Sequence, residues 1–241
     1  ASRSCPFSSK GIGTDLIEKA TRVIVGATSA ADDAKYGPLV EPRLQLDAPA
    51  RPVNYVAVKA PMFSFHRLAG ADPSLGVEMS STGEVGCFGR DKEEAFLKSM
   101  LSTGQRVPLP GKKLLVSIQA KLYDDFKPTL VKLSVMGFEL CATEETATRL
   151  QSEGIDVTVL HWPDTGIQPN IDDAIRNKEL EMVLMFSNQL SMRRETNYAI
   201  RRLATDFNVP LITNLQVAQY FIAAIEKVRS GHQLDDKSLQ E

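Results

Sequence analysis

The sequence predicts an α/β chain: a five-stranded parallel sheet with helices on both faces fills its second half, preceded by a partial α+β segment. Three observations carry this. From Lys113 onward, five short apolar runs alternate with amphipathic stretches, the grammar of strand–helix–strand crossovers. Gly137 and Gly154 follow two of those stretches, where helices are expected to stop. Finally, STGQRVPLPGK at 102–112 sets two prolines and two glycines between patterned segments and reads as a linker. Two units follow, 1–107 and 108–241.

The elements can be justified in chain order. Residues 14–25 read as a helix with Thr14 as N-cap, and 26–51 as a loop. Residues 53–59 alternate like a strand, and 92–101 read as a helix. In the second unit the strands are 113–119, 138–142, 156–161, 181–186 and 209–213. Between them, 124–135 carries Phe126, Leu130 and Leu133 on one side, and 143–152 starts at Thr143 with Glu145 or Thr146 in its first turn. Helices at 170–177 and 193–207 follow. The last, 214–228, sets Val217, Phe221, Ile225 and Val228 on one stripe.

Composition narrows the function classes. The chain has 241 residues, 43% apolar and 24% charged, enough to bury a core. Its 28 Lys+Arg against 30 Asp+Glu give a net charge of −2, which argues against nucleic acid or an anionic membrane as partner. No apolar run approaches the roughly 18 residues of a membrane span. The three cysteines, Cys5, Cys87 and Cys141, are widely spaced, and the histidines are only His66, His161 and His232. That pattern fits a reducing compartment and no structural zinc.

In open parallel sheets ligands bind beyond the carboxyl ends of the strands. Three segments lie there. Thr143 and Thr146 put two hydroxyls on a first helical turn, where the positive helix end suits a carboxylate or phosphate; ordinary capping is the alternative. Trp162, the only tryptophan, follows the third strand and either walls a ligand site or packs in the core. His161 beside it reads as a satisfied histidine, with no partner acid recognisable nearby. Residues 187–197 (SNQLSMRRETN) offer Asn188, Ser191, Arg193, Arg194 and Asn197, either as a polar grip or as a solvated loop and helix. Glu78 and Glu84 either pair around Mg²⁺ or sit in a structural loop. No GxSxG, P-loop or GxGxxG occurs, so the residues alone give a ligand-binding domain and no catalytic machine.

Two long motifs add a resemblance. ASRSCPFSSKGIGTDLIEKATRVIVG at 1–26 and YVAVKAPMFSFHRLAGADPSLGVEMSSTGEV at 55–85 resemble the end of the second ATP-grasp synthetase unit of carbamoyl phosphate synthetases. From about Lys112 the chain is similar to their C-terminal allosteric domain, of methylglyoxal-synthase-like fold. YVAVKAPMF, HWP, NYAIRR and TNLQV are most similar to the ammonia-using, urea-cycle type.

The resemblance implies a regulatory C-terminal region that binds an activator, N-acetyl-L-glutamate, and controls ATP-dependent carbamoyl phosphate synthesis from ammonia and bicarbonate. It places the activator on Thr143, Thr146, Trp162, Asn188 and Asn197, and matches Arg3 to an arginine near the nucleotide phosphates. The alternative within the family is a UTP or UMP site in a pyrimidine- or arginine-specific glutamine-dependent enzyme. Mg and ATP belong to the parent enzyme, whose metal ligands are expected upstream of Ala1, so this fragment alone is expected not to catalyse. Its partners are the remaining synthetase units, and its expected location is the mitochondrial matrix, or alternatively the cytoplasm. One departure stands out: where the ammonia type usually has an Asn in NLPNNN, this chain has Met185, which removes an amide contact. Outside the family's role stand a lyase of methylglyoxal synthase type, which needs strand-end carboxylates, and a purely structural module.

Overall fold

A computed structural model describes residues 4–39, 55–63, 65, 68–74, 83–186, 193–231 and 234. In chain order these form α1 (Cys5–Ile12), α2 (Leu16–Ile24), α3 (Ala30–Tyr36), β1 (Val56–Met62), β2 (Gly83–Gly89), α4 (Lys92–Ser102), β3 (Lys113–Ile118), α5 (Tyr123–Val135), β4 (Glu139–Ala142), α6 (Glu144–Ser152), β5 (Thr158–Val159), α7 (Ile171–Arg176), β6 (Leu180–Phe186), α8 (Arg194–Asp206), β7 (Leu211–Ile212) and α9 (Leu215–Arg229).

The predicted sheet is present: five parallel strands in the order β5-β4-β3-β6-β7. Side-chain alternation divides its two faces. Leu114, Val116 and Ile118 of β3, Leu140 and Ala142 of β4, and Met182, Leu184 and Phe186 of β6 pack with α5, α6 and α9. Leu115, Cys141, Val183 and Met185 point the other way, onto α7 and α8. A register shift beside Lys113/Leu114 pairs Lys113 with Leu180 but Leu114 with Met182. The extra residue in β6 puts Leu180 on the α7/α8 face and restores the alternation beyond it.

Several boundaries differ from expectation. Asp15, not Thr14, caps α2: its carboxylate accepts from Ile17 N and Glu18 N, while Thr14 is buried. Helix α3 stands inside the expected loop, started by a capping box between Ser29 and Asp32 that polar composition disguised. Helix α1 was also missed. Strands β5 and β7, at the two edges of the sheet, have only two residues each.

The first unit pairs β1 with β2 antiparallel and lays α4 on that ribbon. A Cβ on Gly89 would lie 2.4 Å from Ala95 N, so the close packing of β2 on the first turn of α4 requires glycine there. Helix α4 also reaches the second unit. Leu97 joins the core with Phe221 and Ile225 of α9, and Lys227 Nζ meets the N-cap carboxylate of Asp91 at 2.6 Å. Residues 103–112 are turns and irregular chain. Among the described residues no helix is long and apolar enough to cross a membrane.

Candidate effector site

The ends of β3 and β4 carry the most unusual chemistry of the sheet. Ser117, Thr143 and Thr146 are all buried, at 9%, 3% and 1% exposure, where polar side chains need partners. They find them in each other. Thr143 Oγ1 lies 3.3 Å from both Ser117 Oγ and Thr146 Oγ1. Ile118 N donates to Thr146 Oγ1 at 3.1 Å, and Thr146 Oγ1 donates to Ile118 O. Thr143 occupies the N-cap position of α6 with extended backbone, but its hydroxyl makes no capping bond. The capping alternative for Thr143 therefore fails: its side chain belongs to a buried hydroxyl cluster.

Strand parity sets the direction of this cluster. Ser117 alternates with Leu115, and Thr143 with Cys141, and both of those face α7 and α8. That same side carries Trp162, 8% exposed and packed among the apolar residues there. Of the two readings, the packing shows the core one. Burial pushes the Cys141 thiol up to about 11, so this cysteine, two residues before Thr143, serves as core and not as a nucleophile.

A hydrogen bond and an ion pair edge the site. His161 Nδ1 lies 2.7 Å from Glu144 Oε1, on the first turn of α6. His161 is satisfied, as the sequence suggested, but by an acid that sequence reading overlooked. Its backbone bridges Asn170, which fixes its position after β5. Arg193 lies with Cζ 5.2 Å from the centre of the Trp162 ring, and its Nη1 reaches Asp164 Oδ2 at 2.7 Å.

Asn197 is 4% exposed on the first turn of α8. It heads the stripe Asn197, Ile200, Arg201 and Ala204, of which Ile200 and Ala204 pack on the sheet. As α8 returns the chain from β6 to the parallel β7, its N-terminal turn stands at the carboxyl ends of the strands. Thr143, Thr146, Trp162 and Asn197 therefore all lie at one end of the sheet. Asn188 and Arg3 lie outside the described residues, as do Ser191, Glu78, His66 and His232. Glu84 stands on β2 and pairs with Lys59 at 2.9 Å.

Met185, where the sequence departs from its resemblance, is fully buried and in register with Ser117 on the neighbouring strand. It gives the hydroxyl cluster an apolar neighbour. Sequence reading also missed Ser117, although a lone hydroxyl in the run KLLVSI was the available signal. Among the described residues no group of three or more His, Cys, Asp or Glu side chains is arranged to hold a metal.

Comparison with known proteins agrees with this architecture. The family model of the MGS-like domain matches residues 126–213. The mitochondrial carbamoyl-phosphate synthase (ammonia) of Homo sapiens is 42% identical over 99% of this chain and 15% of its own length. The multifunctional protein pyrABCN of Emericella nidulans is 42% identical over 94% of the chain and 10% of its own length. The multifunctional protein URA2 of Saccharomyces cerevisiae is 40% identical over the same shares. The chain thus spans about a seventh or less of the length of these relatives.

Proposed function

We infer the role of this chain from its place in the carbamoyl-phosphate synthase family, where it is the counterpart of the C-terminal region, with an MGS-like domain at residues 126–213. The reading proposed is an effector-binding domain. It takes N-acetyl-L-glutamate and adjusts ATP-dependent carbamoyl phosphate synthesis in the rest of the parent enzyme. The single observation that carries it is the buried Ser117–Thr143–Thr146 hydroxyl cluster at the sheet's carboxyl end, the end that also carries Trp162.

That arrangement supports a small acidic ligand. Hydroxyls and the positive end of α6 receive a carboxylate, Trp162 supplies an apolar wall, and Asn197 a directional amide. Asn188 and the synthetase residue Arg3 keep the roles that the resemblance gives them. Effector binding would shift the parent enzyme between arrangements by its unequal affinity for them. Among the described residues the strand ends show no carboxylates paired with each other, so the lyase reading has little support. Similarity to mitochondrial carbamoyl-phosphate synthase (ammonia) supports a mitochondrial location. Mg²⁺ and ATP would serve the synthetase units of the parent enzyme.

A second reading keeps the site and changes the ligand to UTP or UMP. Similarity to the multifunctional proteins pyrABCN and URA2 favours it, as does the apolar Met185 beside Ser117. Calorimetry with N-acetyl-L-glutamate, UTP, UMP and ornithine separates the readings. The first expects saturable binding of acetylglutamate that Thr143→Ala and Trp162→Ala abolish. Tight binding of UTP or UMP alone selects the second, and no binding by any of the four overturns both.

A further inference from the structure

The effector reading leaves Arg193 and Asp164 without a task. Arg193 stands immediately before α8, with its guanidinium carbon 5.2 Å from the centre of the Trp162 ring. Asp164 sits on the Pro163–Thr165 turn that follows Trp162. The pair is open to water, with side-chain exposures of 41% and 51%. Such a pair is held weakly, because solvent screens both charges and both side chains lose freedom in forming it.

Its geometry is incomplete. Asp164 takes both its bonds from one nitrogen, Nη1, at 3.0 and 2.7 Å. A guanidinium holds a carboxylate best through two nitrogens acting as a fork, and Asp164 does not engage the fork of Nε and Nη2. Meanwhile the Trp162 ring, 5.2 Å from the guanidinium carbon, holds the cation on the sheet face that carries Leu115 and Cys141. Of the other acids on the first turns of α6 and α8, Glu144 is engaged by His161, while Glu145 stands beside it and Glu195 next to Arg194 in sequence.

We propose that Arg193 is the cation that receives the acidic group of the effector, and that Asp164 is a resident competitor which the ligand's carboxylate or phosphate displaces. The inference rests on the effector reading above. Trp162 then has two tasks: it walls the ligand and aims the guanidinium. Ligands with an acidic group positioned for the fork are preferred over neutral analogues, whichever of carboxylate or phosphate carries the charge.

Calorimetry on the 241-residue chain tests this, with N-acetyl-L-glutamate, its uncharged diamide, UTP and inorganic phosphate as probes. Arg193→Ala weakens the bound acidic ligand by about tenfold or more, the loss of one charge-assisted contact. Arg193→Lys recovers part of the affinity, because the charge survives without the fork. Asp164→Asn moves the opposite way and tightens binding severalfold. Thermal melts without ligand check that each variant folds as the parent does. If the parent binds an acidic probe and neither Arg193→Ala nor Asp164→Asn alters its affinity, the role of Arg193 is overturned and the effector reading stands. A variant that misfolds is replaced by Arg193→Gln, judged by the same criterion. A parent that binds none of the probes overturns the effector reading and this inference together.

Discussion

Arg201 on α8 grips Asp72, 129 positions earlier, through two parallel bonds: Nε to Oδ1 at 2.8 Å and Nη2 to Oδ2 at 2.5 Å. The arginine side chain is 8% exposed and the aspartate 40%. Beside this fork, Arg202 donates to the carbonyls of Phe65, Leu68 and Ala71, and the Tyr198 hydroxyl to that of Gly70. One helix thus holds Asn197 at the candidate site and, one turn on, the segment that follows β1. Phe65, Leu68, Gly70, Ala71 and Asp72 are tied to α8 in this way, and α4 is tied to α9 through Asp91 and Lys227.

Asp72→Asn therefore leaves a nearly buried guanidinium with a neutral partner. Full burial of an uncompensated charge would cost more, but the aspartate side is open to water, so the expected loss is about 1–2 kcal/mol. Urea unfolding of parent and variant measures it. Equal midpoints would show that the fork contributes nothing to stability.

The same pair predicts a pH dependence. Burial pushes the Asp72 carboxyl up, but the Arg201 hydrogen bond, the Ser74 N–H and the charges of Arg201 and Arg194 outweigh it and hold it below the usual carboxylate range. A carboxyl whose folded pKa is lowered contributes stability above its unfolded value, near 4, and loses it as pH falls through the folded value. The stability gap between parent and Asp72→Asn should be constant from pH 7 to about 5 and narrow below pH 4. A gap that widens toward acid would contradict the assignment.

Thr146 ties the candidate site to the sheet. Its hydroxyl accepts from Ile118 N and donates to Ile118 O, tying α6 to the end of β3. Thr146→Ala strands a buried backbone N–H, at a cost of about 1–3 kcal/mol. Thr146→Ser keeps the hydroxyl and should lose less than half of that. Chemical denaturation of the two variants checks the order, and a serine variant as weak as alanine would mean that the methyl group, not the hydroxyl, matters.

How much of this was legible in the sequence follows from the kind of signal each part sends. The sheet was readable because β3 and β6 are continuous apolar runs, and strands buried on both faces must be. The placement of Thr143, Thr146 and Trp162 at the carboxyl ends of the strands was readable because each follows or caps an apolar run. Helix α3 was hidden, since AADDAKY has no buried residue and is held by its capping box. The partners were hidden too. His161 with Glu144, Arg193 with Asp164 and Arg201 with Asp72 join residues 17, 29 and 129 positions apart, and no local pattern carries such pairings.

Met185 gives the sharpest test of what this site prefers. It is fully buried and in register with Ser117, so its side chain lies beside the hydroxyl cluster. Met185→Asn puts an amide there. Without ligand that amide is buried with poor partners, and stability should fall by about 1–3 kcal/mol. With acetylglutamate the amide gains a polar group to bond, so ligand should raise the melting temperature more in the variant than in the parent. Thermal melts with and without 10-fold steps of acetylglutamate measure the difference, since stabilisation by a ligand grows with its concentration over its Kd. If the variant is destabilised and acetylglutamate gives it no larger shift than the parent, position 185 does not face the ligand. If UTP gives the larger shift instead, the acidic amino-acid reading yields to the nucleotide one.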